Sequence, residues 1–205
     1  MSIRQSLLAI LNQGPCYGYQ LRSEFDRRTG STWPLNVGQI YNTLDRLERD
    51  GLVEKADSDQ AGHIYYAITA AGSAEAHGWL SSAVVRVGPA RDELAIKLAI
   101  AVTLPDVDVA AVIQTQRKSS LGTVQELTSL RDTSAKPAST EDLAALLVIE
   151  SQLFAAEAEV RWLEHIKTRL AQAAEAGVRA PMPLSTKTPK RGRPVKRTLH
   201  NAPTQ

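Results

Sequence analysis

The 205 residues include a single cysteine, two phenylalanines and two methionines, and only 5% of the chain is aromatic. A lone thiol cannot close an internal disulfide, which fits a reducing cytosol. No apolar run approaches the ~20 residues that a bilayer-crossing helix needs. The apolar stretch 3–11 is interrupted by Arg4, Gln5 and Ser6, and Gln13-Gly14-Pro15-Cys16 makes a poor processing site, so a signal peptide is rejected. His63, His77, His165 and His200 are scattered, and neither HxxxH nor CxxC spacing occurs, which argues against a protein metal site. There is no glycine-rich loop after a strand and no GxSxG. The carboxylates fall on helix faces and in first turns, where solvation and the helix dipole account for them. No enzyme, cofactor, metal or membrane association is expected, and the chain should be cytoplasmic.

What the sequence does hold is a charge asymmetry. Residues 181–205 carry Lys187, Lys190, Arg191, Arg193, Lys196 and Arg197 and no acid, against a net of +2 for the whole chain, so the first 180 residues sum to −4. Residues 1–80 have seven Lys/Arg and nine Asp/Glu. A mildly acidic body with a basic arm points the arm, more than the body, at a polyanion.

The best-marked element spans 36–51. Asn36 is a good N-cap, and Gln39 three residues on completes a variant of the capping box. Leu35 and Ile40 suit a hydrophobic staple. Ile40, Leu44 and Leu47 form one buried stripe, and Gly51 ends the helix. Gln39, Asn42, Thr43, Arg46 and Arg49 are left for solvent. Alone, such a face is what any amphipathic helix shows. Its neighbours give it a meaning. A first helix begins at Ser2 and stops at Gln13-Gly14-Pro15, and a second runs from about Tyr17 to Thr29 through Leu21 and Phe25. After the third helix come a strand from Leu52 to Ala56, a turn at 57–62, and a return strand at 63–68 with Ile64, Tyr66 and Ile68 inward. Thr69 then caps a fourth helix. Three helices followed by a hairpin predict a winged helix-turn-helix, whose third helix enters the major groove.

These residues resemble a family. Gly14-Pro15-x-x-Gly18-Tyr19-x-Leu21, Leu35-x-x-Gly38-x-Ile40-Tyr41, Gly51-Leu52-Val53 and Tyr65-Tyr66-x-Ile68-Thr69-x-x-Gly72 look like the PadR family of bacterial transcriptional regulators. The likeness covers residues 3 to about 80 closely and the C-terminal half loosely. It implies a homodimeric winged-helix repressor, with C-terminal dimerisation helices, that a small-molecule effector often releases from DNA. Two positions depart from the pattern. Asn42 stands where the family often has proline, which restores a helix donor and adds an amide able to read adenine. The return strand opens with His63-Ile64 where basic residues are usual, which weakens the wing's phosphate contact.

Beyond 86 the pattern is helical. Asp92 opens one helix, Asp106 is expected to cap a second running to about Leu130, and Thr140 starts a third of about 36 residues, some three times the mean length. Leu146, Ile149, Leu153, Val160, Leu163 and Ile166 recur along it at helical spacing and are the candidate dimer interface. Trp33, Trp79 and Trp162 are large groups that can line a pocket or simply pack. From Gly177 onward, proline, serine, threonine, lysine and arginine predict a disordered arm. Within it Lys190, Arg191, Gly192, Arg193 and Pro194 closely resemble an AT-hook, whose flat Arg-Gly-Arg core fits an A·T-rich minor groove.

The expectation is a mainly α fold with a small β-hairpin: a winged helix-turn-helix domain (1–86), a helical dimerisation domain (87–176) and a basic tail (177–205). Double-stranded DNA is the expected partner, with a nucleoid-associated location. Major-groove contacts fall to Asn36, Gln39, Tyr41, Asn42, Thr43 and Arg46, wing contacts to His63 and Tyr65, and minor-groove contacts to the tail. Two rival readings use the same residues: an architectural protein binding A·T tracts through its tail, and a winged-helix interaction or sensor module that does not bind DNA.

Overall fold

Leu7, Leu8, Leu11, Leu21, Ile40, Leu44 and Leu47 are all but removed from solvent, and the first half of the chain is built around them. Burying each such side chain contributes about 2 kcal/mol. The computed structural model describes residues 2–59, 62–84, 91–178 and 182–184. In chain order the elements are α1 (Ser2–Leu11), β1 (Cys16–Tyr17), α2 (Gly18–Arg28), α3 (Val37–Arg49), β2 (Val53–Ser58), β3 (Ile64–Ile68), α4 (Ala70–Ser81), α5 (Glu93–Ala101), α6 (Val109–Thr133) and α7 (Thr140–Glu175). α1 to α4 and the sheet enclose the first core. Leu98, Ile113 and Leu163 form a second, smaller core among α5, α6 and α7, with Trp162, Ile166 and Leu170 against it.

The sheet holds a strand that the sequence does not announce. β1 pairs antiparallel with β3 through Cys16↔Tyr66 and Tyr17↔Tyr65, giving the order β1-β3-β2. Tyr17 therefore belongs to the sheet, and α2 starts one residue later than predicted. The β2–β3 register shifts between Lys55 and Ser58. Tyr66 is buried as expected, but Ile64 lies at the far end of the hairpin, past the edge of the core, and is 47% exposed.

α6 starts at Val109 with Asp108 as its cap, since Asp108 Oδ1 accepts from the Ala111 amide at 2.9 Å. Asp106, the expected cap, has φ +59 and sits in the preceding turn. α6 and α7 run antiparallel, joined by Gln116 Nε2 to Glu159 (2.9 Å) and Arg117 to Glu164 (3.0 Å). Two members of the proposed dimer stripe are claimed by this packing. Leu153 is 3% exposed and Leu163 fully buried within the single chain, so neither is available to a partner. Helical periodicity marks a buried stripe but does not say which helix covers it. Leu146, Ile149, Val160 and Ile166 are half-buried, and the apolar residues that α7 leaves most open are Leu143, Leu147 and Phe154. The three tryptophans stand apart: Trp162 packs on the second core, Trp79 borders a small cavity beside Phe25, and Trp33 is exposed.

Among the described residues the two halves meet where α2 faces the start of α7. Arg27 of α2 donates to Glu141 of α7 at 2.9 Å while also holding Glu24 at 2.6 Å. Beside it Gly30 packs so closely that a Cβ there would lie 3.2 Å from the Ala145 methyl.

Candidate nucleic-acid interface

α3 is held at its N-terminus by two reciprocal hydrogen bonds. The Gln39 amide N–H donates to Asn36 Oδ1 (2.8 Å), and the Asn36 amide N–H donates to Gln39 Oε1 (3.1 Å). This capping box satisfies two otherwise orphaned donors. It also engages the carbonyl oxygens of two residues expected to read bases, leaving their side-chain NH₂ groups as donors. Thr43 is back-bonded: its hydroxyl donates to the Gln39 carbonyl at 2.7 Å, so what it has to offer outward is its methyl and the hydroxyl oxygen as an acceptor. Tyr41 lies against α2. A Cβ on Gly18 would come within 2.8 Å of two of its ring carbons, so Tyr41 sets the spacing of the two helices while keeping 40% of its surface open. Asn42 and Arg46 are exposed and one turn apart on the same face, with Arg49 a further turn on.

The charges are distributed unevenly. Of the seven cations in residues 1–80, five are engaged within the chain. Arg4 meets Asp50 (3.1 Å) and Glu75, Arg22 meets Asp26, Arg27 meets Glu24 and Glu141, Arg28 meets Glu24, and Lys55 meets Glu48 (2.8 Å). Arg46 and Arg49 make no ion pair with any described residue, and both stand on the solvent face of α3. Among the described residues the winged unit therefore neutralises its cations everywhere except on the helix that the fold presents outward.

The wing is knitted around Asp59. Its carboxylate accepts from the His63 amide (2.9 Å), lies 2.8 Å from His63 Nδ1, and is 3.5 Å from the Tyr65 hydroxyl. Tyr17 stacks on the His63 ring at 4.5 Å and meets Tyr65 edge-on at 5.5 Å. Burial, then the Asp59 charge, raises the Tyr65 phenol above its ordinary value, so it stays a neutral hydrogen-bonding group. The two predicted wing residues thus come together. The third member, Tyr17, arrives through β1, for which a two-residue strand gives no periodic signal. Lys190, Arg191, Gly192, Arg193 and Pro194 lie outside the described residues.

Comparison with known proteins gives a consistent picture. Residues 7–78 match the transcriptional regulator PadR-like family, and residues 90–171 match the virulence activator alpha C-terminal family. The chain is 30% identical over 188 residues to the probable transcriptional regulator Rv1176c of Mycobacterium tuberculosis, covering 83% of this chain and 98% of that protein. It is 26% identical over 172 residues to the negative transcriptional regulator PadR of Bacillus subtilis, covering 80% and 94%. The fold is similar to that of B. subtilis PadR in complex with p-coumaric acid (TM-score 0.64, 22% identity, 83% of this chain and 99% of that one). It is also similar to the same protein in complex with operator DNA (TM-score 0.60, 23% identity, 81% and 97%).

Proposed function

Because this chain belongs to the PadR-like family of transcriptional regulators, we propose that it binds double-stranded DNA as a dimer and represses transcription until a small ligand releases it. The observation that carries this reading is the placement of Arg46 and Arg49, which pair with no described residue, on α3 in a unit whose other described cations are all paired. α3 enters the major groove. Arg46 reads a guanine edge, Asn42 reads adenine through its amide, the Thr43 methyl meets a thymine methyl, and the Asn36 and Gln39 NH₂ groups donate from the capped end. Tyr41 positions α3 against α2. His63 and Tyr65 rest on the backbone. The AT-hook-like arm supplies the charge that the winged unit lacks, since phosphate contacts provide much of the affinity.

Dimerisation uses α7. Leu143, Leu147 and Phe154 are the apolar groups it leaves open, with Leu146, Ile149 and Val160 along their flank, while Ile166 of the expected stripe packs on the second core. Release follows when an effector changes the angle of the winged units, and the Arg27–Glu141 and Gly30–Ala145 joint is where that angle is set. A regulator of this kind works in the cytoplasm, on the nucleoid.

The test is fluorescence anisotropy on duplexes from the chain's own upstream region, with scrambled controls, across a salt series. Arg46→Ala should lose about 1–3 kcal/mol on the preferred duplex and much less on scrambled DNA. A 1–180 truncation should keep the preference with a shallower salt slope. An Arg46→Ala protein that binds as wild type does would remove α3 as the reader.

A further inference from the structure

The end of the second half farthest from the winged unit holds a cavity of about 870 Å³, near the top of the range that small-molecule sites occupy. Its construction follows from how α7 stops. Gly177, at φ +78, reverses the chain, and its amide and that of Val178 bond back to Ala174 (3.1 Å) and Ala173 (2.9 Å) in a Schellman-type cap. Farther on, the Met182 amide donates to the Thr103 carbonyl at 2.9 Å, tying the segment after α7 to the end of α5. The cavity lies between the last turns of α7, the start of α6 and this tie.

Its walls are aliphatic. Val102, Val109, Ile113, Leu170, Val178 and Met182 supply most of them, and neither an aromatic ring nor an acidic side chain is among the described lining residues. Val178 and Met182 keep 69% and 70% of their surface in water, so apolar area at the mouth is still uncovered. Lys167 stands on this wall and makes no ion pair with any described residue. The nearest acid before it in sequence, Glu164, is already held by Arg117. Gln114 adds a second polar group.

We propose that this cavity is a binding site for a medium-chain aliphatic carboxylate. The carboxylate pairs with Lys167 at the mouth and the hydrocarbon lies along the aliphatic walls. The absence of rings in the lining favours a flexible alkyl body over a flat aromatic one, and the absence of acids selects an anionic head. The inference is independent of DNA binding, because none of these residues lies on α3 or the wing.

Isothermal titration of the full-length protein with octanoate, decanoate and dodecanoate tests it, with decylamine and decanol as head-group controls. Binding should saturate at one per chain and tighten about tenfold for each two carbons added, as burial of two methylenes predicts, until the cavity is full. Decylamine and decanol should bind at least tenfold more weakly than decanoate. Lys167→Glu should abolish the preference for the acid. Ala171→Phe, an exposed wall position, should crowd the aliphatic wall and weaken decanoate binding at least tenfold while helicity and sedimentation stay as in wild type. Equal affinity for decanoate and decylamine would overturn the proposal, and so would decanoate binding left unchanged by Ala171→Phe. If Ala171→Phe instead dissociated a dimer, the cavity would belong to the contact between two copies of the chain, and the ligand site would be refuted.

Discussion

Gly72 and Gly78 lie on the same helix, α4, and the same substitution should have opposite effects at the two. In a helix interior, glycine to alanine normally stabilises by about 0.5–1 kcal/mol, because glycine has more backbone freedom to lose. Gly78 is exposed, and a Cβ there would meet nothing within 4 Å, so Gly78→Ala should gain that amount. Gly72 is buried in the first turn of α4, with its amide donating to the Thr69 hydroxyl at 3.1 Å. A Cβ there would lie 2.1 Å from the Leu52 carbonyl oxygen and 2.8 Å from Ile68 Cγ1. Restoring ordinary contact requires the Leu52 carbonyl to withdraw by roughly 1 Å, as contacts below 3.0 Å essentially never occur. That carbonyl is fixed by the Thr69 amide at 3.1 Å, in the stretch where α3 hands over to β2. Overpacking costs about 1–3 kcal/mol, and the strained backbone hydrogen bond adds about 1 kcal/mol. Set against the helix gain, Gly72→Ala should lose roughly 1–3.5 kcal/mol, or about 3–10 °C in Tm for a chain of this size. Urea unfolding of both variants at one fixed protein concentration reads the two signs directly. A neutral or stabilising Gly72→Ala would mean that α4 does not dock on the α3–β2 joint as described.

Other expectations are simpler to check. Asn36→Ala removes the side-chain half of the capping box, the Oδ1 that accepts from the Gln39 amide, and should cost about 1 kcal/mol in urea unfolding, whereas Asn36→Asp should keep most of it. Glu24 provides an acid-side signature. The Arg27 hydrogen bond foremost, with Arg28 assisting and burial opposing, holds its carboxyl below the ordinary value of 4.5. Because the folded value is the lower one, this stabilisation is present above the ordinary carboxylate range and disappears as the pH falls through the folded value. Glu24→Gln should therefore flatten the loss of unfolding free energy between about pH 6 and pH 3. Burial, then the Glu24 charge, raises the Cys16 thiol, so Cys16 should react with iodoacetamide far more slowly in the native protein than in guanidinium. Equal labelling rates would show that β1 does not shield it.

Local chemistry made α3 legible. Asn36 and Gln39 announce the cap, and Ile40, Leu44 and Leu47 are fully buried at the spacing that a helix imposes. Thr69 is equally plain, since its hydroxyl both accepts from Gly72 and donates to the Gly51 carbonyl at 2.8 Å. Less was readable where partners come from far along the chain. Arg27 and Glu141 are separated by 114 positions, and neither one signals the other. β1 has two residues, too few for any period. Leu153 and Leu163 carry the same apolar signal whether their cover is α6 or a second copy of α7. On the outer face of α3, the sequence shows that Gln39 and Thr43 are polar, but not that the Gln39 oxygen and the Thr43 hydroxyl hydrogen are committed to the backbone.

The long helix is also a spacer. Its first turns touch the winged unit at Ala145, while its end is tied near Thr103, roughly 45 Å away at about 1.5 Å per residue. From Leu184 to Arg191 a fully stretched chain covers at most roughly 24 Å at about 3.4 Å per residue. The basic segment that begins near Arg191 is thus rooted about two helix widths short of the joint that carries its own winged unit. If the chain binds DNA as the dimer proposed above, one protomer's arm falls on the groove beneath its partner or in the flanking DNA. Arm and reading helix would then measure the spacing of a site between them, much as the two points of a caliper do.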